Sequence, residues 1–225
     1  MLKYKKSILV SGLMALSALT AAQTSFAEGV GLSMKASTLG LGLELSGGLS
    51  EKVNMRLGVN YFKFSKELEK DGINYDFDLK LNSFTALMDW HMFDGGFRLT
   101  GGAILDKNKL DGNALPASAY NIGTDTFSAE EVGQLSGHVN FRDLSPYLGI
   151  GWGNAVRGDS NWTFTADLGV IFTGSANVDL LSTGGSLSNN PDFLAEIARE
   201  EQNVSDDIGF FKYYPVISLG MSYRF

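Results

Sequence analysis

Two histidines, His91 and His138, carry any imidazole chemistry open to this chain. A hydroxyl nucleophile works only with a base within hydrogen-bond reach and a third group that orients the base. Ser136-Gly137-His138-Val139-Asn140 holds suitable residue types around His138, but spacing along one strand does not bring them into contact. His91 stands two residues from Asp89 and three before Asp94, and reads as a member of an ion network rather than as a base. The stretch Asp106-Lys107-Asn108-Lys109-Leu110-Asp111 spaces oxygen-bearing side chains as a calcium loop does. Leu110 fills a position that needs an oxygen ligand, however, and no glutamate closes the loop at the required distance. Gly149, Gly151 and Gly153 recur every two residues, the spacing of one strand face and not of a phosphate-binding turn. The sequence therefore assigns no catalytic residue, no metal ligand and no cofactor.

Most of the polar chemistry sits at alternate positions, and strands must place it. From Ile217 to Phe225 the odd positions are Ile217, Leu219, Met221, Tyr223 and Phe225, and the even ones are Ser218, Gly220, Ser222 and Arg224. Period two is a strand with one apolar face and one small or polar face. The same alternation predicts seven further strands near 30–36, 39–49, 55–70, 74–93, 97–105, 144–153 and 162–172. Val30 and Leu32 open the apolar face of the first; Leu39, Leu41, Leu43 and Leu45 form that of the second. In the fourth, the apolar set shifts from Tyr75, Phe77, Leu79 and Leu81 to Phe84, Ala86, Met88 and Trp90, which predicts a bulge near Asn82-Ser83. Residues 111–140 lack a clear period and read as a long irregular loop. Gathered on one side, the polar faces bring together Lys35, Arg56, Arg98 and Arg224 with Glu44, Asp89, Asp106 and Asp167. Four charges of each sign are what a narrow interior needs, because pairing offsets the cost of burying them.

The chain has 225 residues, 27 glycines and no cysteine, so its fold holds without disulfides. Lys3, Lys5 and Lys6 precede an apolar run, and Ser25-Phe26-Ala27 offers small residues at the positions a signal peptidase reads. Residues 1–27 are thus expected to be a removable signal peptide, with 28–225 forming one domain. Loss of the three lysines leaves 15 basic and 25 acidic residues, net −10. Such an acidic chain is unsuited to nucleic acid, whose phosphates need Lys and Arg. No later run reaches the roughly 20 apolar residues of a spanning helix.

Which face is buried decides between a soluble barrel and a membrane one. A soluble barrel lined by the apolar faces would show water mainly Gly and Ser; the reverse arrangement puts the apolar faces in lipid and packs the charges inside. Eight strands enclose an interior that side chains just fill. Phe97, Trp90, Trp152, Trp162 and Phe225 fall at strand ends, as in the aromatic girdles of membrane barrels. The signal peptide, the eight alternating strands and the terminal Tyr223-Arg224-Phe225 resemble the small eight-stranded bacterial outer-membrane proteins, the OmpA-like and OmpW-like barrel superfamily. The resemblance implies an all-β fold: a closed antiparallel up-and-down transmembrane β-barrel of eight strands in the outer membrane of a Gram-negative cell envelope. It also implies that Tyr223 and Phe225 form the carboxy-terminal signal read by the barrel-assembly machinery.

Just before the last strand the period changes. Asn190 can cap a helix that starts at Pro191, with Leu194, Ile197, Ala198, Val204 and Ile208 along one stripe and Glu196, Glu200, Glu201, Asp206 and Asp207 facing water. This predicts one amphipathic helix, about 190–209, in the last external loop. The expected role is a monomeric structural or surface-interaction barrel with a polar, closed lumen, in contact with outer-membrane lipid and lipopolysaccharide. One alternative, drawn from the OmpW-like resemblance, is a narrow porin-like channel for small solutes. A second is a lipid A-modifying enzyme, since lipid A deacylases and palmitoyltransferases use a His with a Ser and an acidic residue. The deacylases, however, place the Ser two residues after the His, where this chain has Asn140.

Overall fold

The computed structural model describes residues 29–70, 73–93, 95–114 and 119–225; the expected signal peptide and its cleavage site lie outside the described residues. Eight strands close a barrel: β1 (Val30–Ser37), β2 (Gly40–Ser50), β3 (Val53–Lys70), β4 (Ile73–Trp90), β5 (Arg98–Asp106), β10 (Leu144–Trp152), β11 (Trp162–Phe172) and β13 (Tyr213–Arg224). Each runs antiparallel to the next, and β13 pairs with β1 to complete the ring. Closure leaves the barrel no free edge, the condition a sheet must meet in hydrocarbon. The start of β1 and the end of β13 lie at one rim with the connections 51–52, 91–97 and 153–161, while the two long connections 107–143 and 173–212 leave from the other, which marks the first as the periplasmic rim. No helix among the described residues is long and apolar enough to cross a membrane.

Alternation sets the two surfaces. Outward side chains such as Met34 (70% exposed), Leu41, Leu148, Phe164 (79%), Leu219 and Met221 form a continuous apolar belt. Trp90, Trp152, Trp162 and Phe225 border it at the periplasmic rim, where Trp162 packs edge-on against Tyr223 with ring centroids 4.9 Å apart. Many inward positions are small or polar: Ser33, Ser46, Ser83, Ser145, Ser218 and Ser222 are all buried.

Beyond the belt the wall is uneven. The β1–β2 hairpin ends just above it, whereas β3 and β4 run on. The extended part of β4 pairs with β6 (Lys109–Ala114), which pairs with β9 (Gly133–Asn140), which pairs with β12 (Asn177–Gly184). The segment 111–140 is therefore not an irregular loop. It holds β6, the hairpin β7 (Ala119–Ile122) and β8 (Asp125–Ser128), the short helix α1 (Ala129–Val132) and β9. Its short strands, with Gly112, Gly133 and Gly137 among them, conceal the period. Ser128 and Glu131 form a capping box at the start of α1.

The expected bulge is absent. The β3–β4 ladder runs without a register shift from Val53↔Trp90 to Lys70↔Ile73. Near Asn82 it is the surroundings that change: β4 exchanges β5 for β6 as its neighbour, the outer face leaves lipid for water, and the inner face leaves a polar lumen for an apolar cap. Apolar residues consequently switch sides while the backbone keeps its phase.

Candidate functional site: the lumen and its external cap

Six of the eight charges expected in the lumen meet there. Arg56 lies at the centre, with Glu44 at 3.1 Å, Asp89 at 2.7 Å and Asp167 at 3.3 Å. Lys35 reaches Glu44 at 2.9 Å and Asp167 at 3.3 Å; Arg98 reaches Asp167 at 2.5 Å and Asp89 at 3.5 Å. Thr100 donates to Asp89 at 2.7 Å, and Arg98 also donates to the Gly153 carbonyl. Three cations and three carboxylates balance in a layer whose side chains are at most 10% exposed. Glycine makes the room: a Cβ on Gly151 would lie 2.7 Å from Asp167 Oδ1 and 2.8 Å from Arg98 Cζ.

The other two charges lie outside this layer. Asp106 ends β5 at the external mouth, where it accepts bonds from Asn108, at 2.7 Å from the backbone and 3.1 Å from the side chain. Arg224 stands at the opposite rim and makes no ion pair among the described residues. His91 is also separate. It is buried, and its Nε2 lies 3.1 Å from the amide nitrogen of Asn54, which donates to Asn154 at 3.1 Å.

Alternation did not disclose two further layers. Above the ions, Leu39, Leu87, Ile104, Tyr147, Ile171 and Val216 pack into one apolar cluster. Leu39 does not belong to the lipid face: it occupies the β1–β2 turn and folds inward, 4% exposed, because β2 begins only at Gly40, whose φ of 102° turns the chain. A Cβ on Gly149 or Gly169 would collide with Tyr147, so these cross-strand partners admit the ring. Below the ions, the 153–161 turn folds back into the periplasmic mouth and buries Ala155 and Val156. Gly29 and Gly31 face this turn, where a Cβ would lie 3.2 Å from the Val156 carbonyl oxygen and 2.3 Å from that of Ala155, and Val30 between them is buried. Gly153 sits past the end of β10 with φ 99° and not inside the strand. Where the apolar and ionic layers meet, a cavity lined by Leu39, Tyr147, Glu44 and Arg56 holds about 30 Å³, room for one or two waters.

The helix α2 (Pro191–Asp207) begins as its sequence indicates, with the Asn190 side chain accepting from the Asp192 and Phe193 amides. Its buried stripe is centred on Phe193 and Ile197, while Leu194 is exposed. These two residues pack with Tyr120, Ile122 and Val132 in a second core, so the cap is a folded unit with its own interior. Three of the acidic residues expected in water turn toward the cap. Glu196 accepts from the Thr124 amide at 3.3 Å, Glu200 from the Gly123 amide at 3.2 Å, and Glu201 from the Leu180 amide at 2.7 Å. Backbone amides at a turn and a sheet end are satisfied this way, a use that charge periodicity does not reveal. Between cap and barrel lies an apolar pocket of about 220 Å³ bordered by Leu79, Leu81, Val139, Phe211 and Tyr214.

On the outer face of the cap, His138 Nδ1 lies 2.6 Å from Asp111, and Lys80 lies 3.4 Å from the same carboxylate. Partial burial raises the Asp111 pKa, but the His138 and Lys80 hydrogen bonds outweigh it and hold the carboxyl below the usual range. Ser136 donates to the Leu181 carbonyl at 3.4 Å, so Ser136 and His138 are not joined by a hydrogen bond.

A sealed ring of eight strands with a lipid-facing belt and a charge-balanced interior defines the class: the chain is a small outer-membrane β-barrel. Among solved structures it is similar to CarO2 of Acinetobacter baumannii, with TM-score 0.58 and 19% identity over 88% of this chain and 98% of that one. It is likewise similar to CarO of Acinetobacter baumannii, with TM-score 0.57, 22% identity and the same coverage of both chains. No protein-family profile and no curated protein matches the sequence.

Proposed function

We propose that this protein is a closed, monomeric outer-membrane barrel that holds a folded cap at the cell surface, a structural or surface-interaction role. The observation that supports the reading is the lumen: an apolar layer packs on an ionic layer with a cavity of only about 30 Å³ where they meet, and the 153–161 turn lies below them. A conduit would have to displace buried Leu39 and Tyr147 and separate the ion pairs of Arg56 at every passage. Because desolvated ion pairs are costly to part, such a path stays shut. The cap supports the same role, since anchoring in lipid does not require a second hydrophobic core above the membrane. In this reading Tyr223 and Phe225 present the aromatic ends of the closing strand to the assembly machinery.

Liposome swelling tests the proposal. Vesicles carrying the folded protein should show no swelling above protein-free vesicles in isotonic arabinose or in a small amino acid, while a general porin swells them. Swelling in proportion to protein content would replace the closed barrel with the narrow channel.

A further inference from the structure

The external edge of the belt carries an arrangement that neither the barrel nor its cap requires. Lys63 on β3 stands directly opposite Lys80 on β4, and Lys80 directly opposite Lys109 on β6. Cross-strand partners share a face with Cβ atoms about 5 Å apart, so these ammonium groups form one row. They lie on the outer face, two residues above Tyr61, Asn82 and the end of the lipid-facing wall. At about 3.3 Å per residue the row sits ~7 Å above that level, where headgroups begin. Like charges directly opposite one another destabilise a sheet. Asp111 neutralises Lys80 alone, at 3.4 Å, and Lys63 and Lys109 have no ion-pair partner among the described residues.

Below and beside the Lys63 and Lys80 end of the row, from Tyr61 and Asn82 across to β1 and β13, the wall is hollowed. A groove of about 660 Å³ runs between Met34, Leu41, Leu43, Val59, Tyr61 and Leu219. It exists because Ala36, paired with Leu41 on one side and Leu219 on the other, is the small residue among large ones. A hollow in the lipid face takes a hydrocarbon chain, and a lysine row above it takes an anionic headgroup.

We propose that this face is a binding site for the phosphorylated glycolipid of the outer leaflet, lipid A, with an acyl chain in the groove and phosphate on Lys63, Lys80 and Lys109. The carboxylates Asp78 and Asp111 lie one row farther from the membrane, so a phosphate arriving from the lipid side meets the lysines first. The acidic helix is not involved, since Glu196, Glu200 and Glu201 are committed to backbone amides.

The test titrates the full protein, folded in neutral detergent, with bisphosphorylated lipid A, dephosphorylated lipid A and inorganic phosphate, with binding read by native mass spectrometry. Each lysine near an anionic headgroup contributes about fivefold, so K63Q/K80Q/K109Q should bind lipid A roughly 100-fold more weakly. The variant K66Q, outside the row, should bind as the parent does. A36L, which fills the groove, should weaken binding about tenfold while preserving the heat-shifted gel mobility of a folded barrel. Binding by the folded triple variant within about twofold of the parent overturns the proposal. So does equal binding of dephosphorylated lipid A, and equal occupancy by inorganic phosphate makes the row a free-anion site instead.

Discussion

Arg56 is the residue on which the lumen depends most. Its guanidinium faces three carboxylates, Glu44, Asp89 and Asp167, at 3.1, 2.7 and 3.3 Å. With Lys35 and Arg98 it brings the layer to three charges of each sign. Arg56→Ala leaves one carboxylate uncompensated among side chains only 3–5% exposed. Removing one partner from a buried ion pair costs about 3–5 kcal/mol, even where replacing the whole pair with apolar groups costs little. Restoring neutrality with a second change, Asp89→Asn, should therefore recover about 1–3 kcal/mol of the loss. The assay is equilibrium unfolding by urea in detergent micelles, followed by tryptophan fluorescence and by gel mobility. A loss below about 1 kcal/mol in Arg56→Ala, or a double variant that simply adds the two single costs, would refute the charge-balance argument.

Further outcomes follow from the other layers and from the cap. Gly169→Ala drives a Cβ into the Tyr147 ring and should destabilise the barrel by about 1–3 kcal/mol in the same urea assay, as overpacked interiors do. Phe193→Ala removes a buried aromatic ring from the cap core and should cost about 3–5 kcal/mol locally. Limited proteolysis should then cut within 173–212 while the barrel keeps its folded mobility. Asp111 has a depressed pKa, so its contribution to stability is present above the usual carboxylate value and is lost as pH falls below about 3.8. Amide exchange in β6 and β9, corrected for intrinsic rates, should accelerate over that range and do so less in Asp111→Asn. Phe225→Ala should lower the fraction of protein assembled in the outer membrane, measured by fractionation after expression.

The strands were legible because lipid and lumen impose opposite demands on neighbouring residues, so Ile217 to Phe225 discloses its geometry in nine positions. The six charges of the ionic layer were legible for the same reason, since a charge on the polar face of a spanning strand has only the lumen to enter. Legibility ended where those demands end. Leu79 and Leu81 keep the phase of Ser83 and Asp89 but face an apolar cap, so their alternation imitates a bulge. Leu39 looks like one more lipid-facing leucine until the turn at Gly40 folds it inward. Glu196, Glu200 and Glu201 carry charges that suggest water, yet their partners are backbone amides on segments remote in sequence. The lysine row is invisible along the chain, because Lys63, Lys80 and Lys109 become neighbours only through the register of three strands.

Single-channel recording in planar bilayers tests whether the lumen is shut. A closed lumen gives a flat baseline for the wild-type protein at ordinary holding potentials, and still gives one when Leu39 and Tyr147 are both reduced to glycine in a barrel that folds, because the ion pairs of Arg56 and the inserted turn remain. Steady openings of the wild-type protein at a single conductance level would contradict it.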